Sequence, residues 1–118
     1  MKKDEKIIVE IYKEIFEDNF HQYSKRLNRQ SIENNKDDTF SQVNKIFISL
    51  SEKEKNAIMN MIKIVISDTA STILGTLDGT HMVDNIDKDF QLIYDNEEIQ
   101  GDLQDLFLAL VEDNNDII

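Results

Sequence analysis

Residues 51–79 read SEKEKNAIMNMIKIVISDTASTILGTLDG, and this run decides the fold. Ser51-Glu52-Lys53-Glu54 has the form of a capping box, in which the serine hydroxyl and the Glu54 carboxylate satisfy two orphan helix amides reciprocally. Behind it Ile58, Met61, Ile62, Val65, Thr69, Ile73 and Leu77 recur in steps of three and four, the period of an α-helix. Gly75 and Gly79 suit its termination. Apolar residues at 57, 58, 59, 61, 62, 64, 65 and 66 cover most of the circumference. The helix is therefore expected at the centre of the molecule, packed on more than one side.

Outward from this helix, the chain punctuates itself sparingly. It has no proline and only Gly75, Gly79 and Gly101, which favours long helices over loops. A first helix is expected from Asp4 to Glu33. Ile8, Ile11, Ile15, Asn19, Tyr23 and Leu27 mark one side of it, widened by Tyr12, Phe16 and Phe20. Asp4 and Glu5 complement the positive end of its dipole, and Lys25, Arg26 and Arg29 the negative end. A polar loop over residues 33–38 follows. Thr39 or Ser41 can cap a short helix carrying Val43, Ile46, Phe47 and Leu50, although Ile46-Phe47-Ile48 also suits a strand.

After Gly79 the period changes. Phe90, Leu92 and Tyr94 alternate, and Asp95-Asn96 offers a tight turn returning through Ile99, so a hairpin is expected. Gly101-Asp102 opens a last helix through Leu103, Leu106, Phe107, Leu110 and Val111, with Asp102 as its N-cap. The tail Asp113-Asn114-Asn115-Asp116 should fray. The expected fold is mainly α (α+β): a single domain over 1–118, a small bundle of three to four helices with one short β-hairpin before the C-terminal helix. At 118 residues with 17 isoleucines and six phenylalanines, the chain can bury a core without staples.

Charge divides the chain. Residues 1–63 hold 12 Lys/Arg against 11 Asp/Glu; residues 64–118 hold Lys88 alone against 13 acids, a balance of −12. The net charge of −11 argues against a protein that holds nucleic acid or anionic lipid, because phosphate binding needs neutralising cations. Absence of cysteine removes disulfides, thiolate metal sites and a cysteine nucleophile. The start turns amphipathic at once and lacks the continuous apolar core of a secretory signal. The apolar stretch Ile58 to Ile66 is interrupted by Asn60 and Lys63 and is short for a bilayer span. A cytoplasmic location without membrane contact is expected.

No catalytic, cofactor or metal motif is present, and an enzyme is not expected. His21 has Glu17 and Asp18 one helical turn before it, half of a metal site or a general base, but the second half is missing. His81 has no partner in sequence. Counting from Asp87, Asp89 and Glu98 fall at calcium-loop positions three and twelve, yet Leu92 occupies position six, which needs glycine. Asp68, Thr69, Ser71 and Thr72 interrupt the apolar helix without a base or orienting group nearby. Lys25, Arg26 and Arg29 beside Tyr23 are too few for a single-strand platform.

What remains is the acid itself. Twelve carboxylates fall between Asp78 and Asp116 against one lysine, in a segment whose apolar periodicity shows it folds. One-signed fields destabilise compact states, which suggests that the field is used. The expected function is an acidic inhibitor that neutralises a basic protein partner (toxin, nuclease or nucleic-acid-binding effector) by occlusion. Its contacts would be Asp84, Asp87, Asp89, Asp95, Glu97 and Glu98, with Tyr94 as aromatic anchor. In size, charge, helix content and lack of cysteine the chain resembles the small acidic immunity proteins that bacteria make against nuclease toxins. It is similar in the same way to phage-encoded acidic inhibitors that mimic nucleic acid. The alternatives are a structural adaptor or homodimer that uses an exposed helix stripe, and a metal-dependent or other small enzyme built on Asp68 or His21.

Overall fold

A computed structural model describes residues 1–29 and 38–114. The elements in order are α1 (Lys3–Tyr12), a π-helical stretch (Lys13–Asn19), α2 (Phe20–Leu27), α3 (Thr39–Phe47), α4 (Glu52–Asp78), β1 (Ile93–Tyr94), β2 (Glu97–Glu98) and α5 (Leu103–Asp113). The first three run on without a break. The described residues thus form four helical rods and a two-stranded antiparallel hairpin ahead of the last helix. This is the expected mainly α (α+β) bundle.

The core lies between the α1–π rod, the C-terminal half of α4, and α5. Ile8, Tyr12, Phe16, Leu74, Leu103, Phe107 and Val111 are buried together. Phe107 sits at its middle, with its ring centroid 6.2 Å from Tyr12 and 6.3 Å from Phe16. Burying an aromatic or branched side chain of this kind stabilises by roughly 1.5–3 kcal/mol, so these few residues hold the three rods together. A smaller satellite joins α2 to α3. There Leu27 and Phe47 are buried, and the buried Asn44 amide donates to the Leu27 and Arg29 carbonyls at 2.8 and 3.0 Å. Asn44 therefore supplies partners for carbonyls that the end of α2 leaves open.

The first rod departs from expectation in two ways. It ends at Leu27, with Asn28 leaving helical geometry at φ −90° and ψ 3°; Glu33 and the loop expected over 33–38 lie outside the described residues except Asp38. Its buried line is Ile8, Tyr12 and Phe16, while Ile11 and Tyr23 face solvent. The π stretch widens the turn in the middle of the rod and shifts the phase of everything after it, which a constant step of three or four does not anticipate. The tail after Asn114 also lies outside the described residues. At α3, the N-cap is Asp38, whose carboxylate accepts from the Ser41 amide at 2.8 Å, rather than Thr39 or Ser41. Ile46 and Phe47 form the last turn of α3 and Ile48 is its C-cap, so this run is not a strand.

The capping box of α4 forms as expected: Glu54 N–H donates to Ser51 Oγ at 3.1 Å, and Ser51 N–H donates to the Glu54 carboxylate at 2.8 Å. Gly79 ends the helix at φ +77°, where a side chain would be strained. Centrality is where expectation fails. Only Ser67, Ser71, Leu74 and Gly75 of α4 are buried, all in the half that meets α5. Ile58, Met61, Val65 and Ile73 are exposed. An apolar circumference does not mean burial inside the same chain.

The α4–α5 seam is close because its residues are small. Ser67, Ser71 and Gly75 recur every four residues, and a Cβ on Gly75 would stand 2.6 Å from the Gln104 amide. Gln104 Nε2 lies over this gap and donates to Ser71 O and Ser71 Oγ, both at 3.1 Å. The cap of α5 is also supplied by α4. Asp78 accepts from the amides of Gly101 (2.7 Å), Leu103 (3.2 Å) and Gln104 (2.8 Å). Asp102, the expected cap, makes no side-chain capping bond. The hairpin is shorter than expected from Phe90 onwards, pairing Ile93 with Glu98 and Tyr94 with Glu97. Asp95 and Asn96 take the expected tight turn, both at positive φ.

Thermal unfolding separates the two candidate caps. Asp78→Ala should destabilise the protein by about 1–2 kcal/mol and lower its melting temperature by several degrees, whereas Asp102→Ala should stay within about 0.5 kcal/mol of wild type. Equal losses in the two variants would contradict the assignment.

Candidate functional site

The surface that combines charge with unclaimed apolar area is the segment from Thr80 to Glu98. Gly79 turns the chain out of α4, and the next dozen residues have no regular period, so their backbone stays on the surface. Asp84, Asp87 and Asp89 are all exposed there, together with Met82, Val83, Ile86 and Phe90. Met82 is 79% exposed and Ile93, in the adjoining strand, 62%. Asn85 at φ +69° makes the bend that separates Asp84 from Asp87. Leu92 and Ile99 pin the far end: Leu92 is half-buried against the core, Ile99 is buried, and the Ile99 amide donates to the Leu92 carbonyl at 2.9 Å.

The hairpin acids behave differently from the loop acids. Lys3 Nζ lies 3.2 Å from both Asp95 and Glu97 and donates to the Asp95 carbonyl at 3.0 Å. The hydrogen bonds that Lys3 donates to Glu97 and then to Asp95 raise its pKa above the ordinary 10.5. A raised folded-state value means that this contribution is complete below pH 10.5 and fades as pH climbs through the folded value. Glu98 accepts from Gln100 Nε2 at 3.2 Å. Tyr94 is exposed beside Glu97. Of the seven residues expected to form a contact surface, the structure brings Tyr94, Asp95, Glu97 and Glu98 together on the hairpin, with a cation already on two of them. Asp84, Asp87 and Asp89 lie on the loop before it, and no ion pair engages them among the described residues.

The other candidate positions are dispersed. His21, Glu17 and Asp18 are exposed on the first rod, His81 is exposed after Gly79, and Asp68 is exposed on α4. Among the described residues, no three His, Asp or Glu side chains converge as a metal site would require. Ser71 is held by Gln104, and Ser67 is fully buried with an unpartnered hydroxyl at the seam. Arg26 stacks 3.5 Å over the Phe40 ring, and Tyr23 packs against the same ring at 5.7 Å. The basic cluster therefore spends its aromatic partner internally. By length and composition α4 is long and apolar enough to cross a membrane, although Lys63 and Asp68 both fall within it.

No family model matches this chain, and neither a curated protein nor a solved structure matches it. Function therefore has to be argued from these surfaces. Two features escaped the sequence reading. Lys3 reaches the hairpin from 92 residues away, a distance at which no spacing rule works. The exposed Met82, Val83, Ile86 and Phe90 had a signal, namely apolar residues interleaved with acids in a segment lacking helix or strand period.

Replacing the one cation tests the hairpin's electrostatics. Lys3→Gln should shift the amide resonances of Asp95, Asn96 and Glu97 while the melting temperature barely moves, because exposed ion pairs contribute little to stability. Unchanged hairpin resonances would show that Lys3 does not hold the turn.

Proposed function

We propose that the chain is a cytoplasmic binding protein that occludes a basic protein partner through the surface of residues 80–98. The supporting observation is the mixture on the loop: Asp84, Asp87 and Asp89, which make no ion pair among the described residues, set among exposed Met82, Val83, Ile86 and Phe90. A surface meant only for solubility has no use for contiguous exposed apolar side chains, which invite association. A surface meant for docking uses both. Carboxylates steer the encounter and reject acidic competitors, and apolar or aromatic anchors supply the contact energy after water leaves. Tyr94 and Phe90 are the aromatic anchors in this reading, and Asp95, Glu97 and Glu98 extend the negative field along the hairpin.

The proposal keeps the likeness in size and charge to immunity proteins and acidic inhibitors. Blocking a toxin, nuclease or nucleic-acid-binding effector requires covering a phosphate-binding groove, and such grooves are cationic. Exposed carboxylates on a folded scaffold meet that need without flexible side chains to order. The second reading, an interaction module working through a helix face, is favoured by the exposed stripe of α4 and is compatible with the first.

The test begins with a partner recovered by the wild-type chain from its own cells and then purified. Its association rate should fall about tenfold or more between low and moderately high salt. The triple variant Asp84→Lys, Asp87→Lys, Asp89→Lys should lose binding while its circular dichroism stays that of wild type. A partner that is acidic, or one bound equally well by the triple variant, would refute the proposal.

A further inference from the structure

Much of the face of α4 opposite α5 has no cover among the described residues. At 100° per residue, Ser67, Ser71, Leu74 and Asp78 point to one side, the side that meets α5. Ile58, Met61, Ile62, Val65, Thr69 and Ile73 point to the other, about half a turn away. Met61, Val65 and Ile73 are 58%, 56% and 57% exposed. This stripe runs most of the length of a 27-residue helix, and helices of this kind draw their stability from packing an apolar face rather than from propensity. The radius of gyration is 17.6 Å, where a compact chain of this length has about 13.5 Å. The long axis is 50 Å. These are the proportions of a protomer that lacks the body covering one flank.

We infer that this flank is covered by α4 of a second copy, running antiparallel about a two-fold axis near Val65. Two observations select the occupant and its direction. The first is self-complementarity, which a two-fold contact demands. Val65 is the middle residue of α4, Ile58 lies seven positions before it and Ile73 eight after. An antiparallel copy therefore brings Ile58 beside Ile73 in both halves and closes the stripe on itself. The second is charge. The N-terminal half of α4 carries Lys53, Lys55 and Lys63 against Glu52 and Glu54, while the C-terminal half carries exposed Asp68 with no cation, Asp78 being turned towards α5. Antiparallel pairing sets the lysine-bearing half of each helix beside the acidic half of the other, and opposes their dipoles favourably. Parallel pairing would place like charges together. The groove lined by Tyr23, Phe40, Val43 and Ile62 opens at the edge of the stripe and widens the apolar contact. Lipid is a poorer occupant, since it would have to accommodate Lys63 and Asp68 within the span.

The absence of native cysteine makes single cysteines clean reporters. Sedimentation equilibrium of the full chain should give twice the 13.8 kDa chain mass, and Val65→Glu, an exposed position, should return it to the single mass with helix content retained. Under mild oxidation an equimolar mixture of Ile58→Cys and Ile73→Cys chains should form the mixed disulfide dimer, and neither variant alone should form its own. The triple lysine variant of the 84–89 loop should dimerise like wild type, so failure of loop binding and failure of this contact are separable. A single-chain mass up to hundreds of micromolar would overturn the inference. So would Ile58→Cys coupling to itself, which signals parallel helices. Monomer in buffer combined with Val65-dependent co-flotation on phosphatidylcholine–phosphatidylglycerol vesicles would overturn it in favour of a lipid-facing stripe.

Discussion

The bond between the Asp78 carboxylate and the first amides of α5 is the constraint from which the rest of the arrangement follows. One side chain at the end of α4 satisfies the Leu103 and Gln104 amides of α5, which would otherwise be orphaned at a helix start, and the Gly101 amide just before it. With Gln104 bridging Gly75 to reach Ser71, it fixes both the position and the rotation of α5 along α4. Phe107 and Val111 are then directed at Tyr12 and Phe16 rather than at solvent. Because α5 is short and bound near the C-terminal end of α4, much of the opposite face of α4 is left without cover among the described residues. The core and the unclaimed stripe have a common cause.

The same constraint explains what could be read in the linear chain and what could not. The capping box at Ser51 and Glu54, the Gly79 stop, the Asp95-Asn96 turn and the period of α5 are local: each is decided by residues within one or two turns, so spacing suffices. The α5 cap is not local. Asp102 occupies the right place by distance along the chain, but Asp78 reaches the same amides across 23 to 26 residues and displaces it. Lys3 at the hairpin and Asn44 at the end of α2 belong to the same kind. The π stretch fails for another reason, since one extra residue in a turn shifts the phase of every later position while leaving the composition unchanged. For α4 the period was right and the inference from it was wrong. Apolar residues all round a helix show that the helix wants contacts, and they do not say whether one chain supplies them all.

The charge asymmetry also changes meaning in three dimensions. Read along the chain it is a run of twelve acids, yet they do not act alike. Asp78 is consumed in capping, and Asp95 and Glu97 share Lys3. The loop acids remain, and they stand among the exposed Met82, Val83, Ile86 and Phe90. A uniform acidic coat would have argued for solubility. A division into capping carboxylates, carboxylates that share Lys3, and loop carboxylates without an ion pair among the described residues, these last beside apolar side chains, is what the proposed docking surface rests on.

The two unclaimed surfaces occupy different parts of the molecule, and this bears on how they would work together. The loop acids follow the C-terminal end of α4, whereas the apolar stripe lies along its flank, opposite α5. A helix of 27 residues is about 40 Å long. In an antiparallel pair the two C-terminal ends therefore point away from each other, and each acidic loop stays clear of the other and of the contact. That separation limits the repulsion expected when two strongly acidic chains associate, because it exceeds the roughly 10 Å over which exposed charges interact at ordinary salt. A parallel pair would place both loops at the same end. In the proposed dimer, the placement of the acid at one end of the long helix would let the apolar flank self-associate and would leave one acidic loop at each end of the particle.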